Sequence, residues 1–139
     1  MPVRIVRLGS PRHCREGLRI GTVRRPPRGV RKSAYARENW YDVWLPALAP
    51  SAALLRKTRV LHDKSQWNMF ERRYRSELKQ PEQSHLLDML AALSHQTDFS
   101  IGCYCSDEQQ CHRSILRQVL RERGAKLKRG ESEGARRQS

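Results

Sequence analysis

The sequence lacks several features that would assign a function directly. Its apolar runs stay well short of the roughly 18 residues of a membrane-spanning helix. Residues 1–15 alternate arginine with apolar residues and lack the apolar core of a secretory signal. The sequence also has no glycine-rich phosphate loop and no pair of carboxylates at a spacing suited to acid–base catalysis. We therefore expect a cytoplasmic protein with no membrane partner.

Acidic residues are scarce relative to basic ones. The 139 residues include 28 Lys+Arg and 14 Asp+Glu, which gives a formal net charge of +14. The excess is uneven, because residues 1–32 contain ten basic residues and one acidic residue, Glu16. This charge favours an anionic partner such as phosphate, a nucleotide or nucleic acid. Solubility alone also favours arginine on a surface, so the charge by itself identifies no site.

Hydrophobic patterning predicts one small α/β domain over residues 1–124. The expected sheet is mixed or partly parallel and flanked by helices, and a disordered basic tail follows over residues 125–139. The extended segments are residues 3–8, 18–23, 39–45 and 99–104, and the helices are residues 51–57, 64–79, 81–95 and 111–124. A proline-rich basic loop over residues 24–29 and a polar loop over residues 107–110 connect some of them.

Three cysteines and a histidine cluster where the last strand leads into the last helix. In such folds ligands gather at the carboxyl ends of strands, next to helix N-termini. Here the free backbone N–H groups and the helix dipole favour an anion. The residues that carry this hypothesis are Arg24, Arg28 and Arg113 as anion-binding cations, with Cys111 and His112 as the catalytic pair.

Two other interpretations of the same cluster stay open. The side chains of Cys103, Cys105, Cys111 and His112 match a Cys₃His metal set in type, with zinc as the candidate ion, although the C-x-C spacing is unusual. Alternatively the thiols only pack in the core, or Cys105 and Cys111 form a disulfide under oxidation. A third function, nucleic-acid binding through the arginine-rich surface, follows from the charge alone.

Several segments together resemble domain-of-unknown-function family 488, in its YeaO-like branch. The resemblance covers roughly residues 18–123. It rests on Cys103 with the Cys111-His112-Arg113-Ser114 turn, on Arg24 with Pro27-Arg28-Gly29, on Trp44-Leu45 with Leu48-Ala49-Pro50-Ser51, and on Trp67, Phe70, Arg73-Tyr74-Arg75 and Glu77-Leu78.

The resemblance implies an α/β fold and a site around Cys111, His112 and Arg113, and it implies no established activity. The sequence departs from the family pattern at three positions. Cys105 stands where many relatives have glutamate, Val23 where the branch tends to have aspartate, and Pro26 where tryptophan is usual. If the glutamate and aspartate support a reaction or bind a ligand in relatives, this chain does so differently or not at all.

Overall fold

Four strands form one sheet in the computed structural model, which describes residues 2–57, 63–105 and 111–128. The strands are β1 (Val3–Arg7), β2 (Leu18–Gly21), β3 (Val43–Trp44) and β4 (Phe99–Cys103), and the helices are α1 (Ala52–Lys57), α2 (Lys64–Leu78), α3 (Pro81–Leu93) and α4 (His112–Glu122). The order across the sheet is β1-β4-β2-β3, and every neighbouring pair runs parallel. The α/β class is confirmed, and the sheet is more parallel than the sequence predicted. Among the described helices, none has both the length and the apolarity to cross a membrane.

The chain stays part of the domain beyond the boundary predicted at residue 124. The Val3 N–H donates to the Lys126 carbonyl at 2.8 Å, and the Lys128 N–H donates to the Val3 carbonyl at 2.7 Å. Residues 126–128 thus run beside β1, with a parallel bridge between Val3 and Leu127. The remaining predicted tail, residues 129–139, and the predicted polar loop at residues 107–110 lie outside the described residues.

The main core lies between one face of the sheet and the helices. Ile20 of β2 and both Phe99 and Ile101 of β4 are buried against the apolar stripes of α2, α3 and α4. The α-helix residues in this cluster are Leu54, Phe70, Tyr74, Leu78, Leu87, Leu90, Ile115, Leu116, Val119 and Leu120. Because strand side chains alternate, the neighbours of Ile20 and Ile101 point to the other face of the sheet.

A buried ion pair holds that other face together. Arg19 of β2 is fully buried, and its Nε lies 2.6 Å from an Oε of Glu16, whose side chain is 2% exposed. Ser100 of β4 donates to the same carboxylate at 2.8 Å. The guanidinium also donates to the carbonyls of Ser10 at 2.9 Å and Asn39 at 2.7 Å. The pair therefore ties two surface loops to the centre of the sheet.

Two paired glycines allow the Tyr41 ring and the backbone of β1 to pack closely against the sheet. Gly21 and Gly102 are partners in register. A Cβ on Gly21 would lie 2.4 Å from the Tyr41 ring, and one on Gly102 would lie 2.7 Å from the Val6 carbonyl oxygen. Any side chain here would displace Tyr41 or push β1 away from β4.

Glu16→Gln should strongly destabilise the fold. Removing one partner of a buried ion pair leaves the other charge uncompensated, which costs about 3 kcal/mol or more. The free energy of unfolding from urea titration measures this loss. Glu71→Gln is the matched control, because Glu71 pairs with Arg75 at the surface of α2. It should cost about 0.5 kcal/mol or less, and equal losses for the two variants would contradict the role assigned to Glu16.

The same pair predicts how stability depends on pH. Burial alone would raise the pKa of Glu16, but hydrogen bonds from Arg19 and Ser100 and the Arg19 charge lower it below its ordinary value of 4.5. A lowered pKa stabilises the fold above that ordinary value, and the stabilisation is lost as the pH falls through the folded-state pKa. The stability difference between wild type and Glu16→Gln should therefore shrink between pH 7 and pH 3. A constant difference would contradict this expectation.

Candidate functional site

A cleft of about 1220 Å³ opens at the carboxyl edge of the sheet. It is lined by the last residue of β1, Arg7, the last residue of β4, Cys103, and Val23, which follows β2. Parallel strands end at the same edge, so three segments distant in sequence meet here. This is the place where open parallel sheets usually bind ligands, as the sequence predicted.

Arginines form the charged part of the cleft lining. The five are Arg7, Arg24, Arg25, Arg28 and Arg56, and none of the described lining residues is acidic. The Arg24 guanidinium donates to the carbonyls of Ala49 and Pro50, both at 3.1 Å. These bonds fix it next to the N-terminus of α1. Arg25 and Arg28 are exposed on the proline-rich loop. The prolines of that loop restrict its backbone, so these charges are held near the cleft at little entropic cost.

Sulfur and imidazole groups form one end of the cleft. Cys103, Cys105 and His112 line it, whereas the buried Cys111 lies outside the lining. The Cys103 and Cys111 thiols are buried, and Cys105 is exposed. All four cysteines of the chain, including the remote Cys14, are free thiols, so the Cys105–Cys111 disulfide is not formed.

His112 is held in one tautomer. Its Nε2 lies 2.6 Å from the Thr22 carbonyl oxygen, which can only accept, so Nε2 carries the proton. The other nitrogen, Nδ1, then has a free lone pair, and it lies 3.7 Å from the Cys111 sulfur. Burial lowers the pKa of His112 to about 4. The buried Tyr74 ring meets the imidazole edge to face at 5.7 Å and helps to fix its plane.

The three clustered thiols interact with one another. The ligating atoms of Cys103, Cys111 and His112 all lie within 4.8 Å of one another. Hydrogen bonds from Cys103 and Cys111 lower the pKa of Cys105 against the opposing effect of burial, and the charge of Arg113 acts in the same direction as the hydrogen bonds. The hydrogen bond with Cys105 raises the pKa of Cys103 to about 12. These shifts make the exposed Cys105 the most readily deprotonated of the three thiols.

An aromatic pair forms another part of the wall. Trp40 and Tyr104 both line the cleft, and their rings meet edge to face at 5.9 Å. The Tyr104 hydroxyl donates to the Arg25 carbonyl at 2.8 Å, which connects the aromatic wall to the basic loop. The cleft thus offers cations and an apolar ring surface to one ligand.

The structure brings together most of the residues that the sequence singled out. Cys103, Cys111 and His112 form one cluster, Cys105 lines the cleft and interacts electrostatically with both of these thiols, and Arg24 and Arg28 lie in the same lining. Arg113 differs in placement, because its side chain is 5% exposed and lies outside the cleft lining. Its charge acts to lower the pKa of both Cys103 and Cys105.

Sequence reasoning missed four contributors to this site. They are Arg7, Arg25, Arg56 and the Thr22 carbonyl. The position of Arg7 at the end of a strand was a usable signal, since strand ends line such clefts. Nothing in the sequence marks the backbone oxygen of Thr22 as the partner of a histidine 90 residues away.

The comparisons with known proteins give one match. Residues 3–124 match the family model DUF488-N3a, described as the active DUF488-N3 subclade. This match confirms the resemblance found in the sequence motifs. No curated protein and no solved structure matches the chain.

The geometry predicts the protonation of His112. With a pKa of about 4, the imidazole should stay neutral from pH 8 to pH 5.5, with its proton on Nε2. Long-range ¹H–¹⁵N correlation spectra of chelator-treated protein measure both properties. His112→Gln identifies the resonances. A tautomer with the proton on Nδ1, or a charged ring at pH 6, would contradict the arrangement.

Proposed function

The chain belongs to the DUF488 family, in its DUF488-N3a subclade, and we propose that its cleft binds a phosphorylated, nucleotide-like ligand. The observation that carries the proposal is the lining of the cleft. Five arginines surround a cavity of about 1220 Å³ that also has an aromatic wall. That volume slightly exceeds the usual range for small-molecule sites, so a ligand of nucleotide size fits.

Charge supports the phosphate part of the ligand. Guanidinium groups recognise phosphate through paired N–H donors, and a partly enclosed cleft screens them less than open solvent does. Arg25 and Arg28 are exposed on a restrained loop, so they reach a ligand without first leaving a buried partner. Arg24 is already anchored to two carbonyls and serves chiefly to hold the loop against α1.

The aromatic wall supports the non-phosphate part. Trp40 and Tyr104 present ring surface within the same cleft as the arginines. Stacking of a base on an aromatic side chain contributes about 1–3 kcal/mol. A ligand that combines a ring with phosphate groups would use both features, whereas inorganic phosphate would use one.

The thiols and the imidazole at the end of the cleft supply reactive groups next to that ligand. Cys111 and His112 stay the predicted catalytic pair, since the Nδ1 lone pair faces the Cys111 sulfur. Cys105 is the exposed member of the cluster and is the thiol that a ligand in the cleft would meet first. The matched subclade is described as active, which supports a reactive site in this chain.

Removing two cleft arginines should weaken ligand binding. We expect the double variant Arg25→Ala/Arg28→Ala to bind pyrophosphate and ADP about tenfold or more weakly, as measured by titration calorimetry. Each charge-assisted hydrogen bond contributes about 1.5 kcal/mol, and solvent exposure reduces the sum. Trp40→Ala should weaken ADP binding more than pyrophosphate binding, because only ADP has a base to stack.

The matched control removes the same charge elsewhere. Arg72 and Arg73 are exposed on α2, away from the cleft, so Arg72→Ala/Arg73→Ala should leave both affinities within about twofold. Equal losses in the two double variants would show that net charge, not the cleft, attracts the anion. The proposal also fails if wild type binds neither probe but binds a single strand of about 12 nucleotides with a steep salt dependence. That outcome would favour nucleic-acid binding.

A further inference from the structure

The spacing of the thiol and imidazole atoms matches what one metal ion needs. In tetrahedral zinc sites the Zn–S and Zn–N bonds are about 2.3 and 2.05 Å, which separates a sulfur and a nitrogen ligand by about 3.6 Å. The Cys111 sulfur and the His112 Nδ1 lie 3.7 Å apart. With Cys103 included, all three ligating atoms lie within 4.8 Å of one another.

Cys105 is the candidate for a fourth ligand. It is exposed on the cleft lining and interacts electrostatically with both buried thiols, but its sulfur is not among the three atoms within 4.8 Å of one another. Cys103 ends β4, Cys105 follows two residues later, and Cys111 immediately precedes α4. Zinc in structural sites is commonly held by four such groups, with three thiolates and one imidazole as one of the frequent sets.

The histidine is oriented as a metal ligand requires. Histidines that bind metals usually donate their other ring N–H to a carboxylate or backbone carbonyl, which fixes the ring and the tautomer. The Nε2 of His112 makes this bond to the Thr22 carbonyl at 2.6 Å. The Nδ1 lone pair is thereby directed toward the cysteines.

The surroundings also suit the charge of such a centre. Three thiolates and Zn²⁺ carry a net charge of −1. The guanidinium of Arg113 is 5% exposed and acts electrostatically on both Cys103 and Cys105. A buried cation next to the cluster offsets that charge, as buried charges require.

We propose that Cys103, Cys111 and the Nδ1 of His112 hold one zinc ion at the end of the cleft, and that the exposed Cys105 completes the four ligands. On binding, each of the three thiols releases its proton to solvent and forms a Zn–S bond, while His112 donates a lone pair and keeps the proton on Nε2. The site joins the end of β4 to the start of α4, and so it fixes one end of the cleft. It goes beyond anion binding by the arginines and does not depend on it. In the zinc-loaded protein it replaces the catalytic role predicted for Cys111 and His112, because the metal occupies the Cys111 thiolate and the Nδ1 lone pair.

Metal content tests the site directly. Protein purified without chelator should contain about one zinc per chain by elemental analysis, and Cys105→Ser, Cys111→Ser and His112→Gln should each lower that content severalfold. Cys14→Ser is the matched control, because Cys14 is exposed and is not among the grouped ligating residues, and it should keep the wild-type content. Loss of zinc in Cys14→Ser to the same degree would overturn the assignment.

A second measurement on wild type avoids variants that fail to fold. Chelator-treated protein titrated with Co²⁺ should develop sulfur-to-cobalt charge-transfer bands and the intense visible bands of tetrahedral cobalt, and Zn²⁺ should abolish them. In the zinc-loaded protein a thiol reagent should react rapidly with Cys14 alone. Absence of the cobalt bands, or rapid reaction of all four thiols in the presence of zinc, would overturn the proposal.

The failure of this proposal is distinguishable from the failure of anion binding. The double variant Arg25→Ala/Arg28→Ala should keep its zinc while losing affinity for pyrophosphate. A zinc-free protein that still binds pyrophosphate would overturn the metal site and leave the arginine cleft intact.

Discussion

The ion pair between Glu16 and Arg19 is the interaction on which the rest of the structure depends. Both side chains are buried, so each charge needs the other. Arg19 stands at the middle of β2 and binds the carbonyls of Ser10 and Asn39, while Glu16 accepts from Ser100 of β4. Through these bonds, one ion pair holds two loops against the face of the sheet that the helices do not cover. Ser10 also lines the cleft, so the pair holds part of the cleft wall as well.

The cleft exists because the sheet is parallel. Every strand pair in the described sheet runs the same way, and so the loops that follow β1, β2 and β4 emerge at one edge. A series of contacts then connects α2, α4 and the segment that follows β2. Tyr74 of α2 packs on His112 at the start of α4, and His112 in turn binds the carbonyl of Thr22 after β2. The position of the imidazole is therefore set by three elements at once, which is how a fold preorganises a reactive group.

Local sequence patterns predicted the elements whose formation depends on residues close together in the sequence. The stripe Trp67, Phe70, Tyr74 and Leu78 has helical spacing, and α2 buries it. The Cys-His turn was predicted at a strand-to-helix junction, and α4 begins at His112. The burial of Arg19 was not predicted, because an alternating strand gives no sign that its polar face will be covered by loops. The partners that neutralise it lie on segments that come together only in the folded chain.

Arg113 illustrates the same limit at the site. Its place in the first turn of α4 suggested a cation exposed to a ligand, since helix starts face the cleft in such folds. His112 at the start of α4 does line the cleft, but the next side chain, Arg113, is buried and lies outside the cleft lining. The sequence identifies the residue types at a site more readily than the direction each one faces, because direction depends on how a helix is rotated against its sheet.

The central position of β4 has a consequence for how the chain acquires its structure. β1 and β2 do not pair with each other; each pairs with β4, which lies about 80 to 100 residues later. During synthesis β1 and β2 must therefore wait until β4 has emerged. Contacts of such long sequence separation slow folding, because the intervening loop must close before they form. Until then the edges of β1 and β2 that pair with β4 are open, and these strands are exposed to misassembly.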